Sequence, residues 1–224
     1  MNWSKRIYPC ITTGPSQSWQ HKIWECDRLG ITEVSVFPTF LKLPERRRLY
    51  KALQKSNIKY IPHVHIRDDF QKWEMDFFFN NYGTRHFNIH EYSFDDLYNY
   101  PEYKKYIYLE YNYNNYIPKM VNLNRIAGLC IDLSHFWAAK SRGAKEFDEI
   151  NSNLKSHIVG CNHLNGYSKK LRIDKHYIQN LRQLDYLKNI PKKYFGNIIT
   201  LEMQNSIKKQ LQYKKYIVKL LSKK

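Results

Sequence analysis

Cysteine is scarce and scattered: Cys10, Cys26, Cys130 and Cys161 are the only four, and no two stand in a Cys-x-x-Cys spacing. That argues against both a disulfide framework and a thiolate zinc site, and leaves four reduced packing residues. Long apolar runs are absent too. The longest are strand-sized, such as residues 128–133, far short of the ~18 that a membrane span requires. Met1-Asn2-Trp3-Ser4-Lys5-Arg6 leads directly into a strand-like stretch, where a signal peptide would carry an apolar core. An intracellular protein, cytoplasmic or nucleoid-associated and without a membrane partner, is the expectation. No low-complexity linker or charge block interrupts the chain, so a single domain over residues 1–224 is expected.

Acidic residues are outnumbered, with 20 Asp and Glu against 37 Lys and Arg, giving a formal charge of +17 and a pI near 9.6. Such a balance is the electrostatic footprint of a protein that meets phosphates. Lys, Asn, Ile and Tyr are all abundant, a pattern that an AT-rich genome, cellular or viral, imposes through codon bias. The run Arg46-Arg47-Arg48 is more pointed, since that bias does not favour arginine.

Hydrophobic residues make up 42% and aromatics 16%, enough to fill a core. Strand-like and helix-like stretches alternate throughout, the signature of βα units around a parallel sheet. Eight strands are expected at 6–12, 33–37, 60–66, 86–90, 107–111, 128–133, 158–164 and 197–203. Helices are expected at 18–29, 44–56, 70–81, 94–105, 116–124, 144–155, 177–194 and 206–221. Gly30, Gly83 and Gly196 punctuate the returns to strand, Pro44 and Pro118 open helices, and 112–115 reads as loop. In the last helix Ile207, Leu211, Ile217, Leu220 and Leu221 form an apolar stripe that would clamp a closed sheet. The fold class is therefore α/β, a compact (β/α)8 barrel. At 224 residues it lies below the ~250 typical of that fold, so its loops must be short.

In such barrels chemistry sits at the C-terminal ends of the strands. Six consecutive expected strands end in residues that can bind metals: His63 and His65, then His90, Glu110, Asp132 with His135, His163, and Glu202. Imidazoles and carboxylates are what zinc and similar divalent ions accept, and gathering several at one mouth without a cation costs repulsion and desolvation. Strand parity agrees, because Tyr108 and Glu110, Cys130 and Asp132, Cys161 and His163, and Thr200 and Glu202 each share a face. His63 and His65 also share one, and only one of them need be a ligand.

In this order the motifs resemble endonuclease IV, the zinc-dependent apurinic/apyrimidinic endonuclease of the xylose-isomerase-like barrels, over nearly the whole chain. The most specific stretch is Cys130-Ile131-Asp132-Leu133-Ser134-His135 with Ala138-Ala139 behind it, followed by His163-Leu164-Asn165 and, eleven residues after His163, Asp174-Lys175-His176. Pro62-His63, His90, Leu109-Glu110 and Leu201-Glu202 extend the likeness. The resemblance implies about three Zn2+ ions, with Mn2+ or Fe2+ as substitutes at some sites. His63, His90 and Glu110 would hold one, Glu110 bridging to a second on Asp132, His163 and Glu202, and His135, Asp174 and His176 would hold the third. Glu110 and Glu202 are the implied catalytic carboxylates. The implied partner is duplex DNA with an abasic lesion, with no obligate protein partner.

A DNA-contacting arginine of the second-strand loop would be Arg46, Arg47 or Arg48. Ile66 stands where the family has a lesion-probing aromatic. Gly166 and Glu91-Tyr92 also depart from the family pattern. Two other functions are open on the same residues. Glu110, Asp132, His163 and Glu202 would suit a single-metal sugar isomerase or epimerase of the same superfamily, and the charge alone would suit a non-catalytic nucleic-acid-binding barrel.

Overall fold

A computed structural model describes residues 2–14, 18–93, 100–111 and 122–223. In chain order the strands are β1 (Ile7–Thr12), β2 (Ser35–Phe37), β3 (His63–His65), β4 (His86–His90), β5 (Ile107–Glu110), β6 (Gly128–Asp132), β7 (Val159–Leu164), a small hairpin of β8 (Gly166–Ser168) and β9 (Ile173–Lys175), and β10 (Ile198–Leu201). All eight strands expected from the sequence are present, and they close into one parallel barrel in which β10 joins β7 to β1. Between and after them lie α1 (Trp19–Arg28), α2 (Leu43–Lys55), α3 (Lys72–Tyr82), α4 (Leu133–Arg142), α5 (Lys145–Asn153) and α6 (Ile207–Leu221).

Alternation along the strands separates two environments. Val64, Phe87, Ile89, Leu109, Leu129, Ile131, Ile199 and Leu201 join the large core shared with the helices. The opposite parity fills the barrel. Tyr108, Cys130, Cys161 and Ile198 form a small apolar floor, and Ser35, His63, Asn88, His163 and Thr200, all fully buried, form a polar layer beside it. Gly160 on β7 makes this filling feasible, because a Cβ there would collide with the Tyr108 ring. At the end of the chain, Ile207, Tyr213, Ile217 and Leu221 of α6 are buried in the large core, as the expected clamp requires, while Leu211 is only partly covered.

Three expectations change. The helix expected at 177–194 is replaced by 3-10 turns over Leu181–Asn189 and Lys192–Tyr194, interrupted at Pro191. Leu184, Leu187 and Ile190 are all buried, and their spacing of three matches the 3-10 repeat, where i and i+3 eclipse. Helix α4 was not anticipated: β6 passes into it without a loop, because Asp132 ends the strand and caps the helix in one residue. Gly196 ends no helix but lies so close to the Gly160 backbone that no side chain fits. Of the helices expected at 94–105 and 116–124, residues 94–99 and 112–121 lie outside the described residues, as do Pro118 and the loop at 112–115. The adjoining described stretches form 3-10 turns at Pro101–Tyr106 and Leu123–Arg125. No described helix is long and apolar enough to cross a membrane.

Candidate metal centre

Register determines which strand-end residues can meet. His90 pairs with Glu110 and Asp132 with His163 as Cα partners on neighbouring strands, and Thr200 pairs with His163. Glu202 follows one residue beyond β10, His135 lies on the first turn of α4, and the β8–β9 hairpin carries Asp174 back over the mouth beside His176. Five overlapping groups of three potential ligands result, four of them at this mouth.

In the first group His65 Nε2 lies 3.2 Å from His90 Nε2 and 3.2 Å from Glu110 Oε2, with 3.8 Å between His90 Nε2 and Glu110 Oε2. In the second, His135 Nε2 and His176 Nε2 stand 3.0 and 3.1 Å from Asp174 Oδ2. The third joins Asp132, His163 and Glu202, with His163 Nδ1 at 3.3 Å from Glu202 Oε2. A tetrahedral ion with bonds of ~2.0–2.1 Å sets its ligand atoms about 3.3 Å apart, so these edges fit zinc. Glu110 links two groups, Oε2 facing His65 and Oε1 lying 3.0 Å from His163 Nδ1.

The hydrogen bonds that these donors make, and fail to make, favour a cation over protein partners alone. His65 Nδ1 donates to the carbonyl of Ile66 at 2.9 Å, so in the neutral ring Nε2 presents a lone pair to Glu110 and His90. Orientation through the second ring nitrogen is the usual device of a metal-bound histidine. His163 is fully buried, yet neither ring nitrogen has a hydrogen-bond partner among the described residues, although Nδ1 is within 3.3 Å of two carboxylates. Asp132 Oδ1 accepts from the backbone N–H groups of Ser134 and His135 at 2.8 and 2.9 Å and from the Ser134 hydroxyl at 2.6 Å, which turns Oδ2 toward the mouth. There Asn165 Nδ2 spans Asp132 Oδ2 at 3.0 Å and Glu202 Oε2 at 3.2 Å, holding two carboxylates in place.

Without a metal, protons supply the missing charge. Burial would depress His135, but Asp132 and the bond to Asp174 outweigh it and push its pKa up to about 10. His176 is likewise raised to about 9 against its burial, chiefly by Asp174 and Glu202. Burial opposes ionisation of Glu202, yet His163 and then His176 bring it down to about 2. Glu110 is held well below the usual carboxylate range by His163 and His90 despite complete burial. His90 goes the other way, burial lowering it to about 4, so its ring is neutral and available as a ligand at ordinary pH.

The mouth therefore gathers eight of the nine residues that the sequence nominated, and the ninth, His63, stands apart from His90 and Glu110 in a deeper group with Cys130 and His163. His63 lies one layer deeper, its Nδ1 2.8 Å from Thr200 Oγ1 and its Nε2 2.9 Å from Asn88 Oδ1, with both nitrogens committed. The residue beside His90 and Glu110 is His65. Parity could not choose between two histidines on one face. What decides is that β3 ends at His65.

One expected DNA contact is corrected as well. Arg46 is fully buried, donating from Nε and Nη2 to the two Glu74 carboxylate oxygens at 2.7 and 2.9 Å and from Nη1 to Asp69 at 3.0 Å, so it cannot reach a ligand. Ile66, 2% exposed and with its carbonyl bound to His65, borders the cavity at the mouth. Arg47, over the Trp73 ring, and Arg48 are exposed. Sequence reasoning missed Asn165, although it stands in the quoted His-Leu-Asn motif, and Phe40 and Tyr92. These two aromatics, 67% and 68% exposed, line a cavity of about 490 Å³ shared with His65, His90, Glu110, His135, His176 and Glu202.

No family model matches the chain, and no curated protein matches it. Among solved structures, a thiamine phosphate pyrophosphorylase from Pyrococcus furiosus aligns over 97% of this chain and 97% of its own length, at 10% identity and a TM-score of 0.42. A likeness that remote carries no argument about function.

Proposed function

We propose that this barrel is a metal-dependent phosphodiesterase acting on DNA, an endonuclease IV-like enzyme that incises 5′ to abasic sites with about three zinc ions, Mn2+ or Fe2+ being substitutes at some of them. The observation that carries the reading is the group His135, Asp174 and His176, which adds a further ligand triad to the set of Glu110, Asp132, His163 and Glu202. A single-metal sugar isomerase has use for the latter set only.

Bound divalent ions supply Lewis acidity toward a phosphoryl oxygen and make water nucleophilic near neutral pH. The chain's own residues do the rest. Glu110 faces two ligand groups with its two oxygens and would bridge them. Glu202 lines the cavity as a carboxylate, fixed by Asn165, and is the group placed to accept a hydrogen bond from the attacking water. A charge of +17 draws a polyanion to the surface, while Phe40 and Tyr92 offer aromatic faces beside the mouth on which bases can stack.

The test is incision of a duplex carrying one tetrahydrofuran abasic analogue. Wild type should cut 5′ to the analogue, and a chelator, Glu110→Gln and Asp174→Ala should each stop it. Metal-loaded protein that leaves this duplex and an undamaged strand intact would sink the nuclease reading, and DNA affinity unchanged by loss of the ligands would favour a non-catalytic binder.

A further inference from the structure

His63 stands apart from the four ligand groups of the mouth, in a deeper group with Cys130 and His163; it is fully buried and takes part in a hydrogen-bond chain whose direction can be read from its end. Asn88 Nδ2 lies 2.6 Å from Glu110 Oε2, and a carboxylate there can only accept, so the Asn88 amide turns its N–H to Glu110 and its oxygen to His63. His63 Nε2, 2.9 Å from that oxygen, must then be the protonated nitrogen. In the neutral ring Nδ1 is left as acceptor and takes the Thr200 hydroxyl at 2.8 Å. Thr200 Oγ1 in turn lies 2.8 Å from the Ser35 hydroxyl, which completes the chain. Ser35, Thr200, His63, Asn88 and Glu110 come from five different strands, and the first four are fully buried.

We infer that His63 is a positioning residue: by fixing the Asn88 amide it aims the Glu110 carboxylate so that Oε2 serves the His65–His90 group and Oε1 the His163 group. An Asn88 amide free to rotate would present its oxygen to Glu110 in half of its orientations, and oxygen against oxygen turns the carboxylate away. The ring of His63 opposes that rotation, because turning the amide would require the imidazole to exchange tautomers and the Thr200 and Ser35 hydroxyls to reverse with it. Phe37 packs edge-on against the same ring with centroids 5.2 Å apart and keeps it in place. Asp174 and His176 of the hairpin group lie outside this chain, and of that group only His135 approaches Glu110.

This inference rests on the metal-centre reading, and one experiment separates the two. Zinc is titrated into metal-stripped protein against a chromophoric chelator, and cobalt(II) is added in parallel to read ligand geometry from its visible absorption. Wild type should show three binding events. His63→Phe should weaken two of them by about 10–100-fold, the range for losing an outer partner of a metal ligand, leave the third unchanged and alter the cobalt spectrum. His63→Gln, which can still donate to Asn88, should recover part of the loss. Thr200→Val should shift the same two events by less, and it carries the test should His63→Phe fail to fold. Three wild-type constants in both His63→Phe and Thr200→Val, or an equal weakening of all three, would overturn the positioning role. Wild-type protein that binds no metal would overturn the metal centre itself.

Discussion

The barrel holds two polar layers built from the same residue types, and they are finished differently. In the lower one His63, Asn88, Thr200 and Ser35 form a chain of mutually satisfied hydrogen bonds, and Arg46 on α2 is equally complete with Glu74 and Asp69. At the mouth, His163 Nδ1 meets Glu110 and Glu202 as ion pairs without a well-aligned hydrogen bond among the described residues, His65 and His90 share a 3.2 Å contact between ring nitrogens, and four carboxyl groups share one opening. Buried polar groups are ordinarily satisfied because an unpaired one costs about 1–3 kcal/mol. The lesson is that completeness marks the structural layer and incompleteness the functional one.

The largest expected effect comes from removing the link between the layers. Glu110→Gln should cost two ions and lower kcat for incision by more than the ~10–100-fold of an outer-partner change, in a steady-state assay of abasic duplex cleavage. A Glu110→Gln protein that retained wild-type kcat would end the distinction between the layers as drawn here. Next, Arg46→Ala should lower stability by about 3–5 kcal/mol in urea denaturation, because it strands a fully buried Glu74, and should leave DNA affinity of the folded protein unchanged.

Acidity sharpens the comparison with two opposite trends. His135 and His176 are raised from an ordinary 6.5 to about 10 and about 9 in the metal-free chain, so the stability they add is complete below about 6.5 and lost as pH rises through 9–10. The melting temperature of stripped protein should therefore fall between pH 7 and 10. Zinc affinity should rise over the same window, about tenfold per pH unit for each proton displaced, since a ligand must give up its proton to bind. A flat affinity profile from isothermal titration would mean that these histidines are not ligands. The smallest effect belongs to the surface: Arg47→Ala or Arg48→Ala should change the salt dependence of DNA binding by a slope of about one at most and leave metal content intact.

Much of this was legible in the sequence. All eight barrel strands could be placed from short apolar, β-branched runs, because each is buried on its outer face, and six of them end in candidate ligands. Helix α4 was not legible because Asp132 serves as strand end, N-cap and candidate ligand at once, leaving no turn residues to signal a boundary. The stretch at 177–194 has apolar spacing compatible with either helix type, and Pro191 together with the period of three decided it. At the site, eight of nine positions followed from strand ends and motif order. His65 was named as a candidate but not chosen over His63, because two histidines on one face differ only in depth, which depends on where β3 ends. Burial of Arg46 was equally hidden, since its partner Glu74 lies 28 residues away on α3.

The central claim is that the incomplete layer is completed by metal. Protein loaded with excess zinc and freed of loosely held ions by gel filtration should carry close to three zinc per chain by elemental analysis, and Asp174→Ala close to two. One zinc per chain in both, or none, would contradict the account.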